Sequence, residues 1–261
     1  MISGAREFAV ELSRRAGDLI RYNFDKGPQR TWKSDNSPLT VTDLAVNDLV
    51  ISSVAAAYPH CSVVGEERSL ALNTDSEWAW VCDPIDGTLS FAHGYPQFTF
   101  SLGLTRFGKS VLGIIYDPIM DRMFIGEQGK GSVMNGRPIS VSNSKSLKTT
   151  VVDLEIVTEE LLRDGPLRQG LKDHGALVVS LYSGAYAGSL VAMGQFASVI
   201  YGHRSQWDAC ALDVIIREAG GHVTDFDGAP LSYTGPLNGF VASNGAAHGI
   251  ILGIVGPNRK R

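Results

Sequence analysis

In the stretch WVCDPIDGTLSF, residues 80–91, two aspartates stand three residues apart around a proline, and a glycine and a threonine follow at once. Asp83 and Asp86 close an apolar run. Upstream, SVVGEE ends another apolar run at Glu66, and far downstream Asp208 stands at the start of the clearest helical pattern, WDACALDVIIREAGG. Carboxylates without cysteine or histidine as fellow ligands suit a hard cation such as Mg²⁺ or Mn²⁺. Pro84 restricts the turn, so that Asp83 and Asp86 can face one pocket from what reads as an exposed loop end. The Ile85 carbonyl is a further oxygen donor. Gly87-Thr88 then opens a short helical stretch whose free amides and positive dipole end favour an anion. Divalent ions beside an amide-lined anion site describe a phosphate-ester site. Each group also has an ordinary reading. Asp83 and Asp86 form Asx turns around Pro84, Asp208 is a helix N-terminal charge, and Glu66 is a surface residue beside Glu67. Periodicity alone does not bring these distant groups together.

The elements that must position them read as follows. Residues 4–24 form a helix with an apolar stripe of Phe8, Leu12, Ala16, Leu19 and Ile20. KGPQRTWKSDNSPL is a turn-rich loop or irregular hairpin, and a second helix over about 42–57 is capped by Thr40 or Thr42. SVVG and WAWVC are short strands, and FTFSLGL, SVLGIIYD and DRMFIGE continue as an antiparallel meander with NGRPISVS at its edge. TTVVDLEI is a further strand. TEELLRDGPLRQGLK is helical, with a break expected near Gly165-Pro166, and WDACALDVIIREAGG is a helix from Trp207 to the stop at Gly220-Gly221. HVTDF and NGFVASN are strands, and a last helix ends near 255. The pattern divides the chain into an N-terminal α+β part, 1–145, with an antiparallel sheet and most of the acidic site, and a C-terminal α/β part, 146–261, that supplies Asp208.

Composition narrows the function classes. The chain has 261 residues, 44% hydrophobic and 19% charged, which describes a globular protein with a sizeable core. A net charge of -4 disfavours non-specific nucleic-acid binding, which needs dense basic surface. Cys61, Cys82 and Cys210 show no CxxC spacing and suit free buried thiols in a reducing compartment, hence a cytoplasmic location. The first 22 residues carry charges throughout and no apolar h-region. Residues 174–203 lack any Asp, Glu, Lys or Arg and are long enough to span a bilayer. Their serines and glycines dilute the hydrophobicity, and the segment reads as strand 176–182, helix 184–195 and strand 197–202, with no membrane partner.

GEE at 65–67, DPIDGT at 83–88 and WDACALDVIIREAGG at 207–221 resemble the signatures of inositol-monophosphatase-like metal-dependent phosphatases, a family that includes histidinol-phosphate phosphatases, some fructose-1,6-bisphosphatases and phosphatases of 3'-phosphoadenosine nucleotides. The resemblance covers essentially the whole chain. It implies a layered αβαβα sandwich of the α+β class, a homodimer, and hydrolysis of a small phosphorylated metabolite by metal-activated water. It implies two or three Mg²⁺, with Mn²⁺ able to substitute, on Glu66, Asp83, the Ile85 carbonyl, Asp86 and Asp208. Gly87 and Thr88 would bind phosphate. Thr42-Asp43 resembles an upstream Thr-Asp pair, so Glu66 and Thr88 paired with Asp43 would orient the water and receive its proton. Lys33 resembles the lysine of a loop beside the metals, and Glu67 the second, less directly involved glutamate. Asp86, Gly184, Tyr201 and Asp208 would line the substrate.

The match departs at the substrate wall. Where inositol monophosphatases typically carry a glutamate seven residues before the last aspartate, this chain has Tyr201. LYSGAY replaces the usual Gly-Ser/Thr-Ala pattern, Val179 stands near the place of an arginine, and Arg204 is the cation available at the pocket rim. The expected order of substrates is an inositol monophosphate first, histidinol phosphate second, and a 3'-phosphoadenosine nucleotide or fructose 1,6-bisphosphate third. A silent phosphate- or metal-binding protein is the contrasting class. Mg²⁺-dependent phosphate release separates it from all three.

Overall fold

The computed structural model describes residues 2–33, 38–70, 76–156 and 162–259. The chain opens with α1 (Ala5–Asp25), whose buried stripe includes Ala9, Leu12, Ala16 and Ile20. A two-stranded antiparallel ribbon follows, β1 (Arg30–Trp32) and β2 (Pro38–Thr40), with Arg30 opposite Thr40. Then come α2 (Val41–Ala57), β3 (Ser62–Gly65), β4 (Trp78–Asp86) and the single turn α3 (Thr88–Ala92). β5 (Thr99–Arg106), β6 (Lys109–Asp117), β7 (Arg122–Glu127), β8 (Gly131–Met134) and β9 (Arg137–Pro138) form the meander. The second half runs β10 (Val151–Glu155), α4 (Asp164–Asp173), β11 (Leu177–Val179), α5 (Gly184–Ala192), β12 (Ser198–Tyr201), α6 (Cys210–Glu218), β13 (His222–Thr224), β14 (Phe240–Ser243) and α7 (His248–Val255).

Two sheets carry the architecture. One has seven strands in sequence order β3 to β9, with β3–β4 parallel and every other pair antiparallel. The other has five strands in the order β11-β10-β12-β14-β13, parallel on the β11-β10-β12 side and antiparallel beyond. α1 and α2 cover the outer face of the first sheet, α5 and α6 fill the space between the sheets, and α4 and α7 cover the outer face of the second. These are the five layers of an αβαβα sandwich, because each helix stripe and each sheet face needs an apolar partner. The uncharged segment 174–203 is spent on β11, α5 and β12, and no helix among the described residues is long and apolar enough to cross a membrane.

α6 lies unusually close to the first sheet, and this fixes where Asp208 can reach. A Cβ on Gly113 would stand 2.2 Å from the Ala211 oxygen, and one on Gly126 would stand 2.5 Å from the Ile215 Cα. Ser110 Oγ and Ser132 Oγ donate to the Cys210 and Ile215 carbonyls at 2.6 and 2.7 Å, stapling helix to strand. The three cysteines are buried free thiols.

Several boundaries differ from the sequence reading, two of them at helix starts. α4 starts at Asp164, beside the expected interruption at Gly165-Pro166, with Arg163 extended before it, and Pro166 falls in the first turn, where an amide hydrogen has no intrahelical partner to lose. The reading of 158–161 as helix lies outside the described residues. α6 begins at Cys210 rather than Trp207, and Trp207-Asp208-Ala209 form a turn that delivers Asp208 ahead of the helix.

Candidate metal centre

The local geometry of DPID answers the question its spacing raises. Side chains three apart on a regular strand point to opposite faces. Here β4 does not end at Asp83 but runs on to Asp86, and its pairing with β5 slips by one residue between them: Asp83 faces Ser101 and Asp86 faces Thr99. The bulge falls between Asp83 and Asp86, a stretch that contains Pro84, which has no amide hydrogen to give the ladder. The extra residue re-phases the strand, so both carboxylates reach the same pocket. Asp83 and Asp86 are each 3% exposed, so the expectation of an exposed loop end is corrected: they sit in buried strand.

Ligand atoms of Asp83, Asp86 and Asp208 all lie within 4.8 Å of one another, and all three residues are buried. Asp86 is oriented from outside the cluster. Its Oδ2 accepts from Ser183 Oγ, Thr99 Oγ1 at 3.2 Å, and the Ala185 and Tyr186 amides at 3.0 and 3.3 Å. Ser183 and those amides form the N-terminus of α5, where a carboxylate is favoured. With Oδ2 engaged, Oδ1 is left for a cation. These long-range bonds are not an Asx turn around Pro84. Asp83 Oδ1 is buried without a hydrogen-bond partner.

Electrostatics point the same way. Burial pushes the Asp83 carboxyl well above the carboxylate range, and Glu66, Asp86, Asp208 and Asp43 add to it. Burial likewise raises Asp208, helped by Glu66, Asp86 and Glu155 and opposed by a hydrogen bond from Ser205. Asp86 is raised by burial against its four donors. Like charges crowded out of water need a compensating cation. An orphaned buried oxygen, an all-oxygen donor set and mutual repulsion together fit a hard divalent ion.

The remaining predicted residues gather around this cluster. Glu66 follows β3, and its Oε1 accepts from Lys33 Nζ at 2.7 Å while Lys33 also binds Glu67 Oε1 at 2.6 Å. Burial alone would lower the lysine, but these two glutamates hold it above its ordinary value. Thr88 Oγ1 lies 2.9 Å from the Ile85 carbonyl and 3.2 Å from Asp43 Oδ1. Asp43 belongs to α2, where Thr40 is the N-cap of a capping box: Asp43 Oδ2 accepts from the Thr40 amide at 2.8 Å and from its hydroxyl. Burial pushes Asp43 up to about 7 despite those bonds, with Glu66 and Glu67 contributing. Gly87 is the residue before α3, with φ 93, and a Cβ there would also meet the Gln97 oxygen at 2.7 Å. Only glycine takes that turn without strain.

Tyr201 and Gly184 meet directly: a Cβ on Gly184 would stand 2.8 Å from the Tyr201 ring. That ring is 6% exposed and stacks on His203 at 4.6 Å and on Phe240 at 5.3 Å. Burial, with Asp208, Glu155 and Asp86 nearby, raises its hydroxyl well above the usual phenol. Tyr201 is therefore a packed wall with its polar end toward the carboxylates. His203 is lowered by burial, and its Nε2 is buried without a partner. Arg204 is exposed. His93 is exposed, its ring bonded to the Leu89 carbonyl, beside a cavity of about 370 Å³ that reaches Tyr182.

The sequence reading missed Ser183 and Thr99, which aim Asp86, and two carboxylates on β10. Asp153 is fully buried and Glu155 is 5% exposed. Burial raises Asp153 to about 7 and Glu155 to about 9. The signal was present in TTVVDLEI, where acids two apart in an apolar strand share one face.

The sequence model of the inositol monophosphatase family matches residues 2–257. Inositol monophosphatase 1 of Solanum lycopersicum is 32% identical over 237 residues, covering 87% of this chain and 86% of that protein. A histidinol-phosphatase of Chlorobaculum parvum is 30% identical over 254 residues, 96% of each chain. Among solved structures, an IMPase of Thermotoga maritima aligns with a TM-score of 0.86 at 26% identity, covering 96% of both chains.

Proposed function

The chain belongs to the inositol monophosphatase family of metal-dependent phosphomonoesterases, and from that premise we propose that it hydrolyses a small phosphate monoester with Mg²⁺ held by Glu66, Asp83, the Ile85 carbonyl, Asp86 and Asp208. The observation that carries this reading is the buried triad Asp83, Asp86 and Asp208 with its unpartnered Asp83 oxygen. Bound there, two or three Mg²⁺, or Mn²⁺ in their place, supply Lewis-acid stabilisation of phosphoryl charge and lower the pKa of an attacking water.

The chain's own groups do the rest. Thr88 Oγ1 can accept the proton of that water while donating to Asp43 Oδ1, and the capping box keeps Asp43 Oδ2 out of the exchange. Glu66 is the second group able to orient the water, once Lys33 yields it. The Gly87 and Thr88 amides at the start of α3 receive phosphate oxygens. Asp86, pinned through Oδ2, keeps its other oxygen on the metal and substrate side. Pre-organised charge of this kind needs no histidine base and no covalent phosphoenzyme.

Inositol monophosphate is the first substrate to test, in keeping with the name of the tomato relative. Histidinol phosphate is the second reading, in keeping with the name of a relative that aligns with 96% of the chain. A homodimer in the cytoplasm belongs to the same proposal, supported by the three buried free thiols for the compartment and by the resemblance for the dimer. The test is phosphate release from inositol 1-phosphate, histidinol phosphate, fructose 1,6-bisphosphate and 3'-phosphoadenosine 5'-phosphate, with Mg²⁺ and with EDTA. Release that EDTA abolishes is expected. No release from any ester would overturn the reading.

A further inference from the structure

Residues 180–183 carry the chain from the end of β11 to the start of α5, and each is tied down by a polar bond. Ser180 Oγ donates to the Leu154 carbonyl at 2.6 Å, and the Leu181 amide donates to Asp153 Oδ1 at 2.9 Å. The Tyr182 amide donates to the Glu155 carboxyl. Ser183 Oγ donates to Asp86 Oδ2, which the Ala185 and Tyr186 amides also meet. The first three partners lie on β10 of the five-stranded sheet and the last at the end of β4 in the seven-stranded one, so this strap joins the sheets at a metal-centre carboxylate. Ser183 also packs on the phosphate turn, since a Cβ on Gly87 would stand 2.9 Å from the Ser183 Cβ.

Tyr182 is the strained member of the strap. Its φ of 56° lies in the left-handed region, which a residue with a Cβ rarely takes. The Gly-Ser/Thr-Ala pattern that Tyr182-Ser183-Gly184 replaces would put glycine there. The Tyr182 ring is 51% exposed, so side-chain packing does not enforce the conformation. Backbone strain persists only where the surroundings over-determine it, and here the bonds of Leu181, Tyr182 and Ser183 do so.

We propose that Asp153 and Glu155 are positioning residues for the metal centre: by holding the Leu181 and Tyr182 amides they keep the left-handed turn that sets Ser183 and the α5 amides on Asp86. This rests on the metal-centre reading and deepens it. Both carboxyls act from inside the core and meet neither ligand nor solvent. Accepting an amide hydrogen needs no charge, so the role survives their burial. Strain at Tyr182 is comparable in size to one such hydrogen bond. Release of either amide therefore lets Tyr182 relax in part of the population, and Asp86 loses its orientation there. Mg²⁺ affinity then falls by the fraction of molecules that remain competent.

The test is calorimetric titration of Mg²⁺ into the full chain without any ester, alongside thermal melts. Asp153→Ala and Glu155→Ala are each expected to raise the Kd for Mg²⁺ by about tenfold. Glu155→Gln keeps an acceptor oxygen and is expected to stay within about twofold of the wild-type Kd. Tyr182→Gly, added to Glu155→Ala, is expected to recover most of the loss, because glycine takes this φ without strain. Tyr182→Val changes only an exposed side chain and worsens the strain, so it is expected to raise Kd by about three- to fivefold with Glu155 intact. An unchanged Kd in Tyr182→Val would overturn the proposal whether or not the alanine variants fold. Alanine variants that lower Tm at an unchanged Kd would assign β10 a purely structural role and overturn it too, as would a loss that Tyr182→Gly does not relieve. A wild-type chain that takes up no Mg²⁺ would remove the metal centre and this proposal together. Because no ester is present, none of these outcomes depends on phosphate release, which tests the phosphatase reading separately.

Discussion

Thr88 Oγ1 lies 3.2 Å from Asp43 Oδ1, joining the first turn of α2 to the first residue of α3 across 45 positions of sequence. The two oxygens of Asp43 act separately, since Oδ2 caps α2 through Thr40 and Oδ1 faces Thr88. This separates a folding role from a catalytic one. Thr88→Ala is expected to lower kcat by about 10²- to 10⁴-fold, the usual range for a general-base contribution, with little change in Tm. Thr40→Ala removes the cap, costs about 1 kcal/mol of stability, and spares kcat by comparison. Paired kinetics and thermal melts check this. A Thr88→Ala enzyme within threefold of normal kcat would remove Thr88 from the proton path.

Asp83 and Asp86 are neighbours with opposite structural standing. Asp83 Oδ1 has no partner, while Asp86 Oδ2 has four donors. In EDTA, Asp83→Asn is expected to raise Tm by relieving buried repulsion, and Asp86→Asn to lower it by several degrees as charged acceptor bonds worth about 1–3 kcal/mol are lost. Both variants are expected to lose most of the Tm rise that Mg²⁺ gives the wild-type protein. Equal Tm changes for the two in EDTA would contradict the assigned hydrogen bonds.

Much of this was legible in residue types. The stripe of α1, the meander, the splitting of the uncharged segment and the clustering of Asp83, Asp86 and Asp208 follow from periodicity, or from periodicity with a motif. What was not legible depends on register. That β4 runs past Asp83 to Asp86 follows from a bulge, which is a property of the pairing with β5 rather than of the residues DPID alone. The Ser183 and Thr99 bonds to Asp86 join residues 97 and 13 positions apart, and ordinary serine and threonine carry no mark of such a role. The facing of Glu155 was readable as alternation, but its neighbour Tyr201 was set by the β10–β12 register.

The pH dependence of the metal-free protein has a definite sign. Folding raises Asp43 from 3.8 to about 7, Asp153 from 3.8 to about 7 and Glu155 from 4.5 to about 9. The folded state therefore binds more protons than the unfolded state between about pH 4 and 9, and stability falls as pH rises through that window. In EDTA, Tm is expected to be higher near pH 5 than near pH 8, with the decline continuing toward pH 9 through Glu155. Saturating Mg²⁺ is expected to flatten the curve by compensating the neighbouring carboxylates. A Tm that rises from pH 5 to 8 in EDTA would contradict the burial assigned to these groups.

Lys33 is a competitor for the cation. Its ammonium holds Glu66 Oε1 at 2.7 Å and Glu67 Oε1 at 2.6 Å, both in a half-buried setting where ion pairs are less screened than at the surface. A divalent ion that recruits Glu66 has to displace this contact. Lys33→Gln removes the competing charge and keeps a polar side chain of similar reach, so the Mg²⁺ concentration for half-maximal activity is expected to fall by about three- to tenfold. That corresponds to the roughly 1 kcal/mol that a partly exposed pair contributes. The same variant leaves Glu66 and Glu67 repelling each other in EDTA, so its metal-free Tm is expected to drop while its Mg²⁺-saturated Tm does not. Mg²⁺ titrations of activity and of Tm read the two effects independently. A half-maximal Mg²⁺ concentration that rises in Lys33→Gln would mean that Lys33 assembles the metal site rather than competing for it.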